Sequence, residues 1–286
     1  MDQPSILSLL STRNTVLTDN TRLERPRNEP TMILMLPENI TRWDDFNMIN
    51  INNAYGDLLS KPSNIIPGQG ADKSFRNQSE LRNYAFDTLS STLRPLVSES
   101  ARVLGQRFGF SPTIEWHQNV PLAGPQVVGP ALRPSLTIFA DTVPRTNLVT
   151  SMVHVSSIWC STDIENDSAE PIRHLAKYAQ ISGTRYSFAI TDTEVVAIRF
   201  HSLDRGEPGA QWNAIPRSAC GEGILTINLA IWALIMMSLN DKHRSVVDYT
   251  GTVPLNAWSA HGGFYRNHLS GRRLPYLPTG AVVLNQ

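Results

Sequence analysis

The chain has 286 residues, 41% of them hydrophobic and only 17% charged, with 25 Lys and Arg against 25 Asp and Glu. This length suits one principal core with appendages. A net charge of zero excludes nucleic-acid or membrane-surface binding that depends on the charge of the whole chain, so any such binding needs a local patch. Because the charged share is low, the chain is polar mainly through Ser, Thr, Asn and Pro.

Two features favour an intracellular protein. Cys160 and Cys220 are too few for the disulfide framework of a secreted fold, so we expect free thiols, with a bridge or a shared metal site as the alternative. The start, Met1-Asp2-Gln3-Pro4, lacks the basic residues of a secretory signal.

The longest apolar stretch, Ile224 to Leu239, is interrupted by polar residues and falls short of the ~20 residues that span a bilayer. We therefore expect a cytoplasmic or nuclear protein with no membrane partner.

Prolines divide residues 11–72, which are rich in Asn, Pro, Thr and Ser, and they predict an irregular N-terminal extension over residues 1–74. Within this extension, Met32 to Leu36 is a candidate buried strand. The segment from Trp43 to Leu59 carries enough apolar positions for a small helix that docks on the core. A partly disordered arm is the alternative interpretation.

From Ser79 onward, apolar residues recur near the period of about 3.6 residues that is typical of an amphipathic helix. Ser79 is the predicted N-cap of this long helix, and Pro95 predicts a kink or a break. The segment from Gly105 to Gly109 predicts its end. The long helix therefore opens the principal core, which we expect over residues 75–250.

Four β-type runs and one helix follow. The runs are Ser135 to Ala140, Val149 to Trp159, Tyr186 to Thr191 and Glu194 to His201. The last two are separated by Asp192-Thr193 and predict a hairpin. Pro171 opens a helix before this hairpin, and Gly183 ends it in a C′ position. The order of elements predicts an α/β (α+β) fold with a mixed central sheet flanked by helices.

The C-terminal third combines an apolar helix with a basic tail. The helix, Glu222 to Asn240, is apolar nearly all round and is therefore predicted to be buried, with Trp232 in the core. Downstream the charged residues are mainly basic: Lys242, Arg244, Arg266, Arg272 and Arg273 against Asp241 and Asp248. Residues 251–286 are thus predicted to be a tail packed on the core, and its basic and aromatic residues are a candidate nucleic-acid surface. Solvated loops that cover the core edge are the simpler interpretation.

Two segments resemble a group of fungal proteins with a PD-(D/E)XK nuclease-like domain. Pro171 to Tyr178 reads PIRHLAKY, and Thr184 to Phe200 reads TRYSFAITDTEVVAIRF. In that group a helix of the type R-x-L-x-x-Y precedes a hairpin of the type R-Y-G-[FY]-[IV]-x-T-D-x-E-[LV]-V. Gln211 to Pro216 and Leu229 to Leu234 are also similar to it. The resemblance covers residues 80–250 and implies a helix, a β-meander, a crossover helix and further strands.

The resemblance also implies where a nuclease site would lie. Such a site needs an Asp on one strand and a Glu-x-Lys on the next, because the carboxylates hold the Mg²⁺ that activates water. At these positions the chain carries Ser135, His154 and Ser156, which lack the negative charge that Mg²⁺ prefers. We therefore predict a catalytically degenerate protein without a cofactor. The resemblance implies a binding or accessory role, with a secondary-metabolite pathway of a fungus as one setting.

An active Mg²⁺-dependent nuclease is the first alternative. Asp141 lies six residues after Ser135 and would enter the site in a different register. Glu80 or Glu99, both on the long helix, would also supply a carboxylate. In this interpretation Mg²⁺ is the cofactor and nucleic acid is the substrate.

A small-molecule enzyme that reuses the cleft around Ser135, His154 and His174 is the second alternative, because a fold alone does not fix a function. His174 stands beside Arg173 in the predicted crossover helix, and a nuclease-like fold would point it toward the cleft. A solvated helix face is the other interpretation of this pair. The sequence identifies neither the protein or small-molecule partner nor the oligomeric state.

Overall fold

A computed structural model describes residues 3–21, 33–66, 71–122, 132–142, 145–166 and 168–284 of the chain. The helices are α1 (Ile6–Leu10), α2 (Met48–Leu59), α3 (Gln78–Phe108), α4 (Ser161–Glu165), α5 (Glu170–Ser182), α6 (Ile227–Ser238) and α7 (Asp241–Arg244). None of these helices combines the length with the hydropathy that crossing a lipid bilayer requires.

The strands form three sheets. They are β1 (Leu17–Asp19), β2 (Ile40–Arg42), β3 (Lys73–Phe75), β4 (Ile114–Gln118), β5 (Leu136–Ala140), β6 (Thr146–Val153), β7 (Tyr186–Ile190), β8 (Glu194–Ser202), β9 (Pro208–Pro216), β10 (Ala257–His261), β11 (Phe264–Asn267), β12 (Arg273–Leu274) and β13 (Val282–Val283). The large sheet has the order β2-β9-β8-β7-β6-β5-β4, and the small sheets are β1-β3 and β12-β11-β10-β13.

The large sheet is mixed. Its β2–β9 and β6–β7 pairs are parallel, and the other pairs are antiparallel. A parallel pair needs a crossover connection, and α4 with α5 forms the connection between β6 and β7. The α/β fold with a mixed sheet and flanking helices, predicted from the sequence, is confirmed.

Both faces of the large sheet are covered. Along β8, Val195 and Ala197 belong to the main core, which α3 and α6 complete. The intervening Val196 and Ile198 belong to a second core, which α5 completes. Successive side chains of a strand point to opposite faces, so a strand covered on both sides is apolar throughout.

All 12 residues of α6 are buried. The Trp232 side chain is 0% exposed, its Nε1 donates to the Ser100 hydroxyl at 3.0 Å, and its ring meets that of Tyr55 edge-on with 5.6 Å between centroids. The predicted buried helix with Trp232 in the core is confirmed. It begins later than the predicted Glu222 because Thr226 caps its first turn.

Helix α3 is continuous through Pro95, where a kink or a break was predicted. The apolar residues on either side of this proline are buried, and their packing supports the turn that lacks an N–H donor. The predicted N-cap, Ser79, is wrong: the Asn77 side chain accepts the N–H of Glu80 at 2.9 Å. Gly109 ends the helix in the left-handed region (φ 80°), as predicted.

The predicted helix and hairpin between residues 171 and 202 are confirmed as α5, β7 and β8. Pro171 lies in the first turn of α5, and Gly183 ends this helix with φ 68°. The predicted strand from Val149 to Trp159 is only partly right. Strand β6 starts earlier, at Thr146, and ends at Val153, where the chain turns toward α4.

The N-terminal segment contributes to the principal core. Helix α2, predicted within the segment from Trp43 to Leu59, places Ile51 and Tyr55 in the main core at 0% exposure. Strand β2 forms one edge of the large sheet. Of the predicted strand from Met32 to Leu36, Met32 lies outside the described residues and the remainder forms no strand. The division into residues 1–74, 75–250 and 251–286 stays a prediction.

The C-terminal segment contains a sheet rather than loops alone. Strands β10 and β11 pair as a hairpin, and β12 and β13 flank it. Trp258 on β10 is 0% exposed. The Asn267 side chain holds the turn that follows β11, because its Oδ1 accepts the N–H groups of Leu269 and Ser270 at 3.0 Å each. The expectation of solvated loops in this segment is therefore wrong for these strands.

Candidate functional site

Ser135 and His154 lie at the same end of two neighbouring strands of the large sheet. Ser135 immediately precedes β5, and His154 immediately follows β6, its antiparallel neighbour. The Ser135 N–H donates to the Ser151 carbonyl at 2.9 Å, and the Ser135 hydroxyl accepts the Val153 N–H at 3.1 Å. The predicted pairing of the two runs is confirmed, although the candidate residues lie just beyond the strand ends.

Ser156 is tied to the turn between β7 and β8. Its N–H and its hydroxyl both donate to the Asp192 carboxylate, at 2.7 Å each. Arg217 donates to the backbone carbonyls of Asp192 and Thr191, at 2.8 and 3.0 Å. Burial lowers the pKa of Arg217 to about 10, against the opposing effect of the Asp192 carboxylate. Ser156 thus anchors this turn, a contact that the sequence did not indicate.

His154 is a buried imidazole. Its Nε2 has no hydrogen-bond partner among the described residues, and its ring centroid lies 5.8 Å from that of Trp159. Burial, followed by the charge of nearby His174, lowers the pKa of His154 to about 4. The ring is therefore neutral at pH 7 and does not replace the carboxylate that Mg²⁺ requires. The fold does bring His154 and His174, both predicted candidates, within electrostatic reach of each other.

A cavity of about 680 Å³ opens beside Ser135, and we call it the first cavity. It lies where the first turns of α3 meet the start of β5 and the end of β6. Its described lining residues are Asn77, Gln78, Ser79, Arg82, Asn119, Leu132, Arg133, Ser135, Met152, Val153 and Tyr178. Of the three degenerate positions, Ser135 alone belongs to this described lining.

The first cavity is cationic. Arg82 and Arg133 line it, its described lining has no carboxylate, and neither arginine lies within 4.0 Å of a described carboxylate. Arg82 donates from Nη2 to Ser79 at 3.1 Å, while its buried Nε has no partner in the described part of the chain. The Gln78 amide donates to the Val153 carbonyl at 2.5 Å. With the N-terminal end of α3 at its wall, this cavity suits an anion.

The other candidate carboxylates are not part of the described lining of the first cavity. Asp141 follows β5 at the opposite end of the strand from Ser135, about 20 Å away at ~3.4 Å per residue. Glu99 lies on α3 beyond Arg82, about 26 Å farther along the helix axis at ~1.5 Å per residue. Asp141 and Glu99 are therefore too far from Ser135 to share a site with it. Glu80 stands next to Ser79 of the lining, but its carboxylate accepts the backbone N–H of Arg76, the residue before the N-cap.

The residues of this region do not fit Mg²⁺. Among the described residues, no three or more His, Cys, Asp and Glu side chains are grouped so that they would hold a metal ion. Mg²⁺ binds through carboxylate and water oxygens, and the first cavity presents guanidinium groups instead. Cys160 and Cys220 are free thiols, as predicted.

Sequence reasoning missed the residues that give the first cavity its charge. The spacing Asn77-x-x-Glu80 is a capping pattern that indicates the true start of α3. No local pattern links Arg82 to Arg133, which become neighbours of one cavity only when α3 packs beside the sheet.

Comparison with known proteins gives little further guidance. No family model matches the chain, and no curated protein matches it. Among solved structures, a DrdV–DNA complex determined by electron cryomicroscopy is similar over 57% of this chain and 13% of its own chain, with a TM-score of 0.29 and 12% sequence identity. At this level of similarity nothing about that protein's activity carries over to this chain.

Proposed function

We propose that this protein is a catalytically degenerate, nuclease-like binding protein that holds single-stranded nucleic acid by its phosphodiester backbone in the first cavity. The observation that supports this proposal is the pair Arg82 and Arg133 in a cavity whose described lining has no carboxylate. A metal-dependent nuclease contacts phosphate through carboxylate-bound Mg²⁺. Here the guanidinium groups contact phosphate directly, by paired hydrogen bonds.

The chemistry of the lining favours the sugar–phosphate backbone over the bases. Apart from the two arginines, its polar groups are mainly amides and hydroxyls, such as those of Gln78, Asn119 and Ser79. Such groups bind phosphate and sugar oxygens without reading sequence. Tyr178 is the one aromatic residue of the described lining, and at 5% exposure it offers no face for base stacking. We therefore expect binding with little sequence preference.

Salt dependence tests this proposal quantitatively. Two phosphate contacts on a single strand predict a slope of about −1.4 for the logarithm of the binding constant against that of the salt concentration. Arg82→Gln or Arg133→Gln removes one contact and should reduce the slope to about −0.7. Fluorescence anisotropy with a labelled oligodeoxythymidine measures both quantities. Arg102→Gln is the matched control, because this exposed arginine of α3 lies outside the lining.

Two results would overturn the proposal. Wild-type affinity and slope in both cavity variants would show that the strand binds elsewhere. Cleavage of the oligonucleotide by the wild-type protein, dependent on Mg²⁺ and retained on repurification, would make the protein an active nuclease.

The setting of this activity is a separate matter. An accessory role in a fungal secondary-metabolite pathway is supported by the sequence resemblance alone, and an intracellular location by composition alone. Both stay predictions, and the proposed binding at Arg82 and Arg133 does not depend on either.

A further inference from the structure

A second cavity, of about 480 Å³, lies at the other end of α3. The last turn of α3, the short helix α7 and the β10–β11 hairpin enclose it. The residues of the described chain that line it are Arg107, Phe108, Asn240, Asp241, Lys242, His243, Ser259, Arg266, Asn267 and His268. These residues combine three full cations and two imidazoles with a single carboxylate.

Two of these cations are available to a ligand. Lys242 and Arg266 are exposed, and neither forms an ion pair with a described carboxylate. Arg107 is different, because the Asp57 carboxylate already binds it. Asp241 is the one acid among the described lining residues, where the available positive charge exceeds the negative charge.

The two imidazoles are neighbours in the lining of the second cavity. The ring centroids of His243 and His268 are 6.5 Å apart, and the buried Nε2 of His268 has no hydrogen-bond partner among the described residues. Burial, followed by the charge of Arg185, lowers the pKa of His243 to about 4. Burial, followed by the charge of Arg266, lowers the pKa of His268. Burial is the main cause of both shifts, and the nearby cations add to it.

Arg185 strengthens this field from inside the protein. Its side chain is 1% exposed, and neither Nε nor Nη2 has a hydrogen-bond partner in the described part of the chain. A buried guanidinium without such partners is costly, and a nearby negative charge reduces that cost. After burial, the charge of Arg185 contributes most to the lowered pKa of His243, which lines the second cavity.

We propose that the second cavity binds a small phosphate monoester, anchored by Lys242 and Arg266. A phosphate monoester carries a charge of about −1.5 to −2 and presents three strong acceptor oxygens, which match the two available cations. Phe108 supplies an apolar wall for the rest of the ligand. The volume lies within the range of about 300–1,000 Å³ that is usual for small-molecule sites.

This site is independent of the proposed function. Arg82 in the first cavity and Arg107 in the second both lie on α3, about 38 Å apart along its axis at ~1.5 Å per residue. One small ligand does not reach both. Each cavity is tested by its own residues, so either proposal can fail without the other.

Calorimetric titration with inorganic phosphate tests the second cavity. The full chain with Arg82→Gln and Arg133→Gln is the starting protein, so that phosphate binding in the first cavity does not contribute. We expect it to bind one phosphate, and Lys242→Met or Arg266→Gln in the same background to weaken this binding about tenfold or more. Ribose 5-phosphate should also bind, whereas ribose should not.

Lys177→Met and Arg102→Gln are the matched controls, because both residues lie outside the lining. They should leave the dissociation constant for phosphate unchanged. Circular dichroism checks that every variant keeps the fold. Three outcomes would overturn the proposal: no phosphate binding by the starting protein, unchanged affinity in both cavity variants, or equal losses in cavity and control variants.

Discussion

The N–H and the hydroxyl of Ser156 both donate to the carboxylate of Asp192, at 2.7 Å each. This pair joins the chain after β6 to the turn between β7 and β8, two segments brought together only by the parallel pairing of β6 and β7. A nuclease-like site would need a lysine at position 156. Here Ser156 instead stabilises the turn between β7 and β8. A lysine at this position would have no hydroxyl to donate the second hydrogen bond to Asp192.

Asp192→Asn should lower the free energy of unfolding by about 1.5–3 kcal/mol. The substitution replaces a charged acceptor of two hydrogen bonds by an amide, and it removes the negative charge that favours the buried Arg217. Urea unfolding measures the change. Asp141→Asn is the control, since that exposed side chain should change stability by less than about 0.5 kcal/mol. A loss of similar size in both variants would contradict the anchoring role.

Trp232→Ala should cost about 3–5 kcal/mol, because it removes a large side chain from the centre of the main core and leaves the Ser100 hydroxyl without its donor. Ile224→Ala, just before α6 and 48% exposed, should cost less than about 1 kcal/mol. Urea unfolding compares the two. A loss below about 1 kcal/mol for Trp232→Ala would mean that α6 packs less tightly than the structure indicates.

Much of the fold could be predicted where periodicity and end signals coincide. Helix α5 has Pro171 in its first turn and Gly183 after its last, so both ends were clear from the sequence. Strand β9 was missed because it starts with Pro-Gly and carries Gln211 and Asn213 in its middle. This segment nevertheless forms a strand, because nine of its residues pair with residues of β8. Arg199 Nε donates a hydrogen bond to the Gln211 side-chain oxygen at 3.1 Å. Such tertiary pairing overrides local propensity.

The candidate sites were less accessible to prediction. The resemblance indicated Ser135, and this residue does line the first cavity. The backbone at the start of β5 sets its position, which therefore does not depend on which side chain stands there. Arg82 and Arg133 were not predicted, since a cation in a helix or a loop is usually a solvated surface residue. The second cavity lies between α3 and the C-terminal hairpin. The sequence of the basic tail did not indicate which cations, such as Lys242 and Arg266, would line the same cavity.

Acid should destabilise the protein through its buried histidines. Burial is the main cause that lowers the pKa values of His154, His201 and His243 from 6.5 to about 4. Between these pH values the unfolded chain binds protons that the folded chain does not. The stability contributed by the neutral rings is therefore complete above pH 6.5 and falls as the pH drops toward about 4.

Urea unfolding at several pH values checks this dependence. Each such histidine adds up to about 1.36 kcal/mol per pH unit to the slope between these limits. His154→Gln should reduce the slope by that contribution, because the variant has no proton to gain at this position. His261→Gln, at an exposed position of β10, controls for the exchange of a histidine for an amide. Equal slopes in the wild type and His154→Gln would show that His154 is not the titrating group.

Rebuilding the nuclease motif should fail. The triple variant Ser135→Asp, His154→Glu and Ser156→Lys places a glutamate in the buried site of His154, where desolvation raises a carboxyl pKa and favours the neutral form. It also removes the Ser156 hydroxyl from Asp192. We expect lower stability than the wild type, measured by urea unfolding, and no binding of Mg²⁺, measured by calorimetric titration.

The single variant Ser135→Asp tests a new carboxylate in the first cavity without the changes at His154 and Ser156. Because Ser135 lines the first cavity, the new carboxylate should offset the positive charge of Arg82 and Arg133 while the fold is kept. Oligodeoxythymidine binding should then weaken, and its salt dependence should become shallower. If instead the triple variant bound Mg²⁺ with the stability of the wild type, the surrounding scaffold would still support a nuclease site. The buried position of His154 would then tolerate a carboxylate.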